Sequence, residues 1–143
     1  MTRWIVDGMN VIGARPDGWW RDRDGAMRRL AAELDAFSRA TGEPVAVVFD
    51  GRPRAIAADR VDVRFATRRG RDAADDDIAA LAVADGDPAT LTVVTSDARL
   101  AGRVDAAGAR VVGAGAFRRT LDDALARDPV REEPGGGGRT SPG

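Results

Sequence analysis

Along the chain, short apolar runs alternate with stretches in which apolar residues recur every three or four positions. Four runs read as strands: Trp4-Ile5-Val6, Val45-Ala46-Val47-Val48-Phe49, Val61 to Phe65 and Leu91-Thr92-Val93-Val94. The second and fourth are almost wholly apolar, which predicts strands buried on both faces, as in a parallel sheet. Val61-Asp62-Val63-Arg64-Phe65 alternates instead and predicts an edge strand with one wet face. Arg110-Val111-Val112, after Gly108, offers a fifth strand.

The intervening segments carry helical spacing. Met27, Leu30, Ala31, Leu34 and Phe37 predict a helix that stops near Gly42. A second starts around Ala74, turns Ile78, Leu81 and Ala82 toward the sheet, and ends at Gly86-Asp87-Pro88. A third covers about residues 98 to 107, and the last uses Phe117, Leu121 and Leu125. Strand and helix in alternation predict a three-layer α/β fold, a mostly parallel central sheet flanked by helices. After Asp128 come Pro129, Pro134 and four consecutive glycines, so the pattern predicts one domain over residues 1–127 and a disordered tail over 128–143.

Length and hydrophobic content, 143 residues and 43%, allow one ordinary core. No run approaches the ~18 to 20 apolar residues of a membrane span, and Met1 leads into Trp4-Ile5-Val6 without a signal-peptide layout, so a cytoplasmic location is expected. The missing residue types change the picture more. The chain has no cysteine, histidine, tyrosine or lysine, and all 22 basic residues are arginine. A Ser-His-Asp triad, a cysteine nucleophile, a P-loop lysine and a Schiff base are excluded together. Carboxylates, hydroxyls, amides and bound metal remain, and clustered carboxylates favour a hard cation such as Mg²⁺ or Mn²⁺ over zinc. The net charge of −1 gives no overall attraction to a polyanion, so nucleic-acid binding would need a local arginine surface.

Three strands end alike: Ile5-Val6 runs into Asp7, Val48-Phe49 into Asp50, and Val94-Thr95-Ser96 into Asp97. In a parallel sheet all three ends share one edge, so distant aspartates can meet there. Each is also a natural turn residue or helix cap, Asp97 before Ala98-Arg99-Leu100 and Asp50 before Gly51 in particular. A fourth acidic group, Asp75-Asp76-Asp77, opens the second long helix. Three adjacent acids repel, and Asp75, three residues before Ile78, lies nearest the sheet side, with Asp76 next. Asp7-Gly8-Met9-Asn10 reads as a compact polar loop, and its Asn10 can bond a carboxylate or a phosphate oxygen.

Asp7-Gly8-Met9-Asn10-Val11-Ile12, Phe49-Asp50-Gly51, Ala74-Asp75-Asp76-Asp77-Ile78 and Val94-Thr95-Ser96-Asp97 are similar to the motifs of the NYN (YacP-like) ribonuclease family, part of the wider PIN-like nuclease superfamily. The resemblance spans about residues 3 to 126, with the motifs in order. It implies a PIN-like sheet, divalent metal held by aspartates, and endonucleolytic cleavage of RNA. By position it implies catalytic roles for Asp7, Asn10, Asp75 or Asp76, and Asp97, with Asp50 near the metal. Met9 stands where the family often has tyrosine, which removes an aromatic group and no ligand.

On this reading Asp7, Asp97 and one or both helix acids hold one or two Mg²⁺ or Mn²⁺ ions, and Asn10 and Ser96 position phosphate or water. Arg52, Arg54, Arg68, Arg69, Arg71 and Arg99 flank the acids and would grip the RNA, messenger or ribosome-associated. Trp19-Trp20 suits either base stacking or half-buried packing. The alternative is a non-catalytic RNA- or ribosome-binding module of the same fold, although a pure RNA binder gains nothing from acids beside phosphate. A dinucleotide-binding enzyme lacks its Gly-x-Gly-x-x-Gly, and an aspartyl phosphatase lacks a second acid two residues after Asp7.

Overall fold

The computed structural model describes residues 1–70 and 72–127. Arg71 and the expected tail over 128–143 lie outside the described residues. Five strands, β1 (Arg3–Asp7), β2 (Val45–Phe49), β3 (Asp62–Phe65), β4 (Leu91–Val94) and β5 (Arg110–Val112), form one parallel sheet in the order β3-β2-β1-β4-β5. The helices are α1 (Gly8–Gly13), α2 (Arg23–Thr41), α3 (Ala73–Ala84), α4 (Ala98–Ala106) and α5 (Ala114–Ala126). Short 3₁₀ turns occupy Trp19–Arg21 and Pro88–Thr90. The three-layer α/β fold that the hydrophobic pattern predicts is the fold observed.

Successive strand residues point to opposite faces, and the sheet divides two cores accordingly. Val6, Val45, Val47, Phe49 and Val94 join Met27, Leu30, Leu34 and Phe37 of α2 and Phe117, Leu121 and Leu125 of α5. Ile5, Val48, Leu91 and Val93 pack on the other face with Ile78, Ala79 and Ala82 of α3 and Leu100 and Val104 of α4. Each large apolar side chain so buried contributes about 1.5–3 kcal/mol, which makes these stripes the main force setting the layers. β3 lies at one edge with Asp62 and Arg64 exposed and Val63 and Phe65 half-buried, as its alternation predicts.

One element departs from the expected pattern. Of the expected polar loop Asp7-Gly8-Met9-Asn10, Asp7 closes β1 and Gly8, Met9 and Asn10 belong to the short helix α1. Two glycines and an asparagine give it poor intrinsic propensity, and six residues are too few to show a period. Tertiary packing decides it: Val11 and Ile12 enter the core, and Gly8 sits so close to β2 that a Cβ there would meet the Phe49 ring at 2.5 Å. Among the described residues no helix is long and apolar enough to cross a membrane.

Candidate active site

Because every strand is parallel, the C-terminal ends of β1, β2 and β4 open on one edge, and α1, α3, α4 and α5 begin there. Asp7 is the last residue of β1, registered beside Val48 of β2, while β4 pairs with the other side of β1. The carboxylate of Asp7 is buried, with the residue 5% exposed. Thr95, just past β4, donates from Oγ1 to Asp7 Oδ2 at 2.9 Å and accepts from the Asp97 backbone N–H at 3.1 Å. Its own backbone N–H donates to the Val112 carbonyl of β5 at 2.9 Å. One hydroxyl therefore fixes Asp7 and Asp97 relative to each other across two strands.

Asp97 caps α4, its Oδ1 accepting from the Leu100 N–H at 2.9 Å. Asp50, after β2, accepts the Ala74 N–H of α3 on Oδ1 at 3.0 Å. Each acid thus acts as a cap with one oxygen, while its second oxygen accepts no hydrogen bond from any described residue. Capping and site membership are compatible because a carboxylate has two oxygens.

Asp75, in the first turn of α3, makes no hydrogen bond or ion pair to any described residue. Burial, followed by the charges of Asp97, Asp72, Asp50 and Asp76, pushes its pKa up to about 6. Asp7 is also raised to about 6, chiefly by burial; the Thr95 hydrogen bond opposes the rise, and the charges of Asp75 and Asp50 add to it. Asp75 therefore feels the charges of Asp50 and Asp97, and Asp7 those of Asp75 and Asp50.

Asp76 points elsewhere. It is ion-paired with Arg68 and with Arg103 of α4, the latter at 2.8 Å, and the Arg103 hydrogen bond holds its carboxyl below the usual range. Asp77 accepts from the Thr67 N–H at 2.6 Å and from Thr67 Oγ1 at 2.9 Å, tying the loop after β3 to α3. Of the three adjacent acids, only Asp75 has no partner among the described residues. Among the described residues no three acids stand close enough to form a ready-made metal cage. Sparse, unpartnered carboxylate oxygens suit a hard cation that keeps much of its water shell, which is how Mg²⁺ is usually held.

Asn10, on α1, accepts the Ser96 N–H on Oδ1 at 2.7 Å. Ser96 Oγ accepts the Ala114 N–H at the start of α5 at 2.8 Å. Both side chains thus tie α1, the β4 end and α5 together beside the acids. Arg52, Arg69 and Arg99 are exposed and make no ion pair with a described residue. Arg68 is committed to Asp76, and Arg54 approaches Asp24 of α2 at 3.5 Å. The expected substrate contact Arg71 lies outside the described residues. Trp19 packs on the α2/α5 core, whereas Trp20 remains exposed.

Two residues with a part in this arrangement escaped the sequence reading. Thr95 carried a signal, a hydroxyl directly after an apolar strand and two residues before Asp97, but its partner is 88 positions away. Arg103 lies four residues after Arg99, which puts both on one side of α4; that spacing could have flagged it.

A family model described as a YacP-like NYN domain matches residues 4–133. The fold also matches a crystal structure of Rae1 (YacP) from Bacillus subtilis with a TM-score of 0.77 at 29% identity, over 92% of this chain and 79% of that one. A W164L mutant of the same Bacillus subtilis protein matches with a TM-score of 0.76 at 30% identity, over 89% and 79%. No curated protein matches significantly. With the family model spanning most of its length and the acidic motifs in sequence order at one sheet edge, the chain belongs to the YacP-like NYN domain family.

Proposed function

We propose that the chain is a metal-dependent endoribonuclease that hydrolyses RNA phosphodiester bonds at the acidic sheet edge. The observation that carries this reading is the convergence of Asp7, Asp50, Asp75 and Asp97 from four separate segments, with Asp7 and Asp75 both pushed up to about 6. Burying one carboxylate beside others destabilises a fold unless a cation is meant to join them. RNA as the substrate rests on family kinship.

Asp7, Asp75 and Asp97 would hold Mg²⁺ or Mn²⁺, with Asp50 close by and water completing the shell. When bound, such an ion supplies positive charge that activates water and offsets charge on the phosphate. Thr95 keeps Asp7 aimed by donating to one of its oxygens, and the Asn10 backbone N–H adds a second hydrogen bond to the carboxylate. Asn10 and Ser96 hold the surrounding backbone still, which keeps the acids from spreading apart under their mutual repulsion. The exposed guanidinium groups of Arg52, Arg69 and Arg99 would bind flanking phosphates, each as a planar bidentate donor. They also raise the local concentration of a polyanion around an otherwise repulsive acidic centre.

The test is cleavage of a fluorescent single-stranded RNA by the purified full-length chain with Mn²⁺ or Mg²⁺. Cleavage should stop with EDTA and in Asp97→Asn. Retained cleavage in both Asp7→Asn and Asp97→Asn would overturn the site. RNA binding without cleavage, across several RNAs and both metals, would favour the non-catalytic binding module.

A further inference from the structure

The two tryptophans that follow α1 have different fates. Trp19 is packed against the core and meets Trp20 edge to face, with ring centroids 6.0 Å apart. Trp20 is 57% exposed, in company only with Met1 and Val83 among the large exposed hydrophobics of the described residues. The guanidinium of Arg21 lies 5.6 Å from the centroid of Trp20, and that of Arg23 lies 5.9 Å from the centroid of Trp19. Neither arginine, nor Arg29 one turn and a half further along α2, forms an ion pair with a described residue. Of the nearby acids, Asp22 caps α2 through the Gly25 N–H and Asp24 pairs with Arg28 and Arg54, while Asp17, in the same hollow as Trp19 and Arg29, has no ion pair with a described residue and offsets one of the three arginine charges. The surface is aromatic with unspent positive charge.

Its position follows from lengths. The 19 residues of α2 span about 28 Å. The five-residue strands β1 and β2 span about 17 Å. Ser38 donates to the Glu43 carbonyl at 2.7 Å, and Trp4 N–H donates to the Pro44 carbonyl at 3.0 Å, which anchors the end of α2 at the opening of β2. Since α2 ends where β2 opens, its start lies toward the edge where the strands end, with Trp19–Arg21 immediately before it. The 3.5 Å approach of Arg54 to Asp24 joins this first turn to the loop that follows Asp50.

We propose that Trp20, with Arg21 and Arg23 beside it, is a stacking platform for an unpaired base of single-stranded RNA whose backbone continues toward the acids. The inference rests on the nuclease reading for its substrate, and it makes Trp20 a binding residue outside the catalytic set. An exposed indole offers a π-face to any base, while the adjacent guanidinium groups meet phosphate; a base inside a duplex has no free face to offer.

The test uses the full-length chain in EDTA, with fluorescence anisotropy on a fluorescein-labelled 12-nucleotide oligoadenylate and on an RNA duplex of equal length. Trp20→Ala should weaken single-strand binding about 5- to 150-fold, Trp20→Phe should recover most of it, and duplex binding should stay unchanged. With metal, Trp20→Ala should raise KM and leave kcat alone. Equal single-strand affinity for wild type and Trp20→Ala overturns the platform, as does a wild type that binds no single strand. A wild type that shows Trp20-dependent binding but never cuts keeps the platform and defeats the nuclease reading. If sedimentation instead shows that Trp20→Ala converts a dimer to a monomer with RNA binding intact, the exposed ring belongs to a contact between copies, and the platform falls.

Discussion

Thr95 Oγ1 donates to Asp7 Oδ2 at 2.9 Å across the buried junction of β1 and β4, and the same oxygen accepts the Asp97 N–H. A neutral hydroxyl thereby holds two acids from different strands in one arrangement. Thr95→Val keeps the shape and removes both bonds. Cleavage should fall about 10- to 100-fold, the range for losing a partner that orients a ligand. The Thr95 bond counters the upward shift of Asp7, so its loss should move the acid limb of the pH–rate profile to higher pH. Thr95→Ser should restore both, and an unmoved profile in Thr95→Val would show that Thr95 does not position Asp7.

Asp7→Asn should separate stability from activity. The Asp7 pKa is raised from 3.8 to about 6 in the fold, so the folded state holds its proton more tightly than the unfolded chain. The group therefore costs no stability below about pH 4, costs progressively more as pH rises toward 6, and reaches its full cost above that. An asparagine escapes this cost. Denaturant unfolding should show Asp7→Asn more stable than wild type by about 1–3 kcal/mol at pH 8, with the gap closing near pH 4, while RNA cleavage is lost. A mutant less stable than wild type at pH 8 would contradict the strained carboxylate.

Divalent metal should relieve the same repulsion. At pH 7.5, Mn²⁺ or Mg²⁺ at about 100 times its dissociation constant should stabilise the wild type by about 2.7 kcal/mol, read as a rise in Tm. The rise should shrink in Asp7→Asn and Asp97→Asn and vanish at pH 4, where the raised carboxyls of Asp7 and Asp75 are protonated. An equal rise in wild type and both mutants would place the metal elsewhere.

Neighbouring acids of α3 should behave differently. Asp75→Asn should abolish cleavage, because Asp75 has no competing partner among the described residues and faces the other acids. Asp76→Asn should retain most of it, since Asp76 is spent on Arg68 and Arg103. The reverse ranking in single-turnover assays would exchange their roles.

Gly8→Ala tests how tightly α1 is docked behind Asp7. Its Cβ would fall 2.5 Å from Cδ1 and 2.6 Å from Cε1 of Phe49, a fully buried ring with no room to retreat. Thermal unfolding should show a loss of about 1–3 kcal/mol, the usual cost of overpacking a filled core. Unchanged stability would mean that α1 can lift from β2.

Much of this molecule was legible in one dimension. The apolar runs marked all five strands, and the helical periods marked α2, α3, α4 and α5, because burial against a sheet imposes periods of 2 and 3.6 on the residues themselves. The absence of histidine, cysteine and lysine narrowed the chemistry to carboxylates, and the repeated aspartate at strand ends indicated where to look. Helix α1 was not legible, since its six residues are held by contacts with Phe49, the core and Ser96 and not by their own propensity. The distinction between Asp75 and Asp76 also needed three dimensions: adjacent acids are alike in sequence, and only the placement of Arg68 and Arg103 makes one a salt-bridge partner and leaves the other without a partner among the described residues. Strand order did the rest. By setting β1 between β2 and β4 it brought Asp7, Asp50 and Asp97 to one edge from positions many tens of residues apart, a pairing that depends on long-range hydrogen bonds no local pattern encodes.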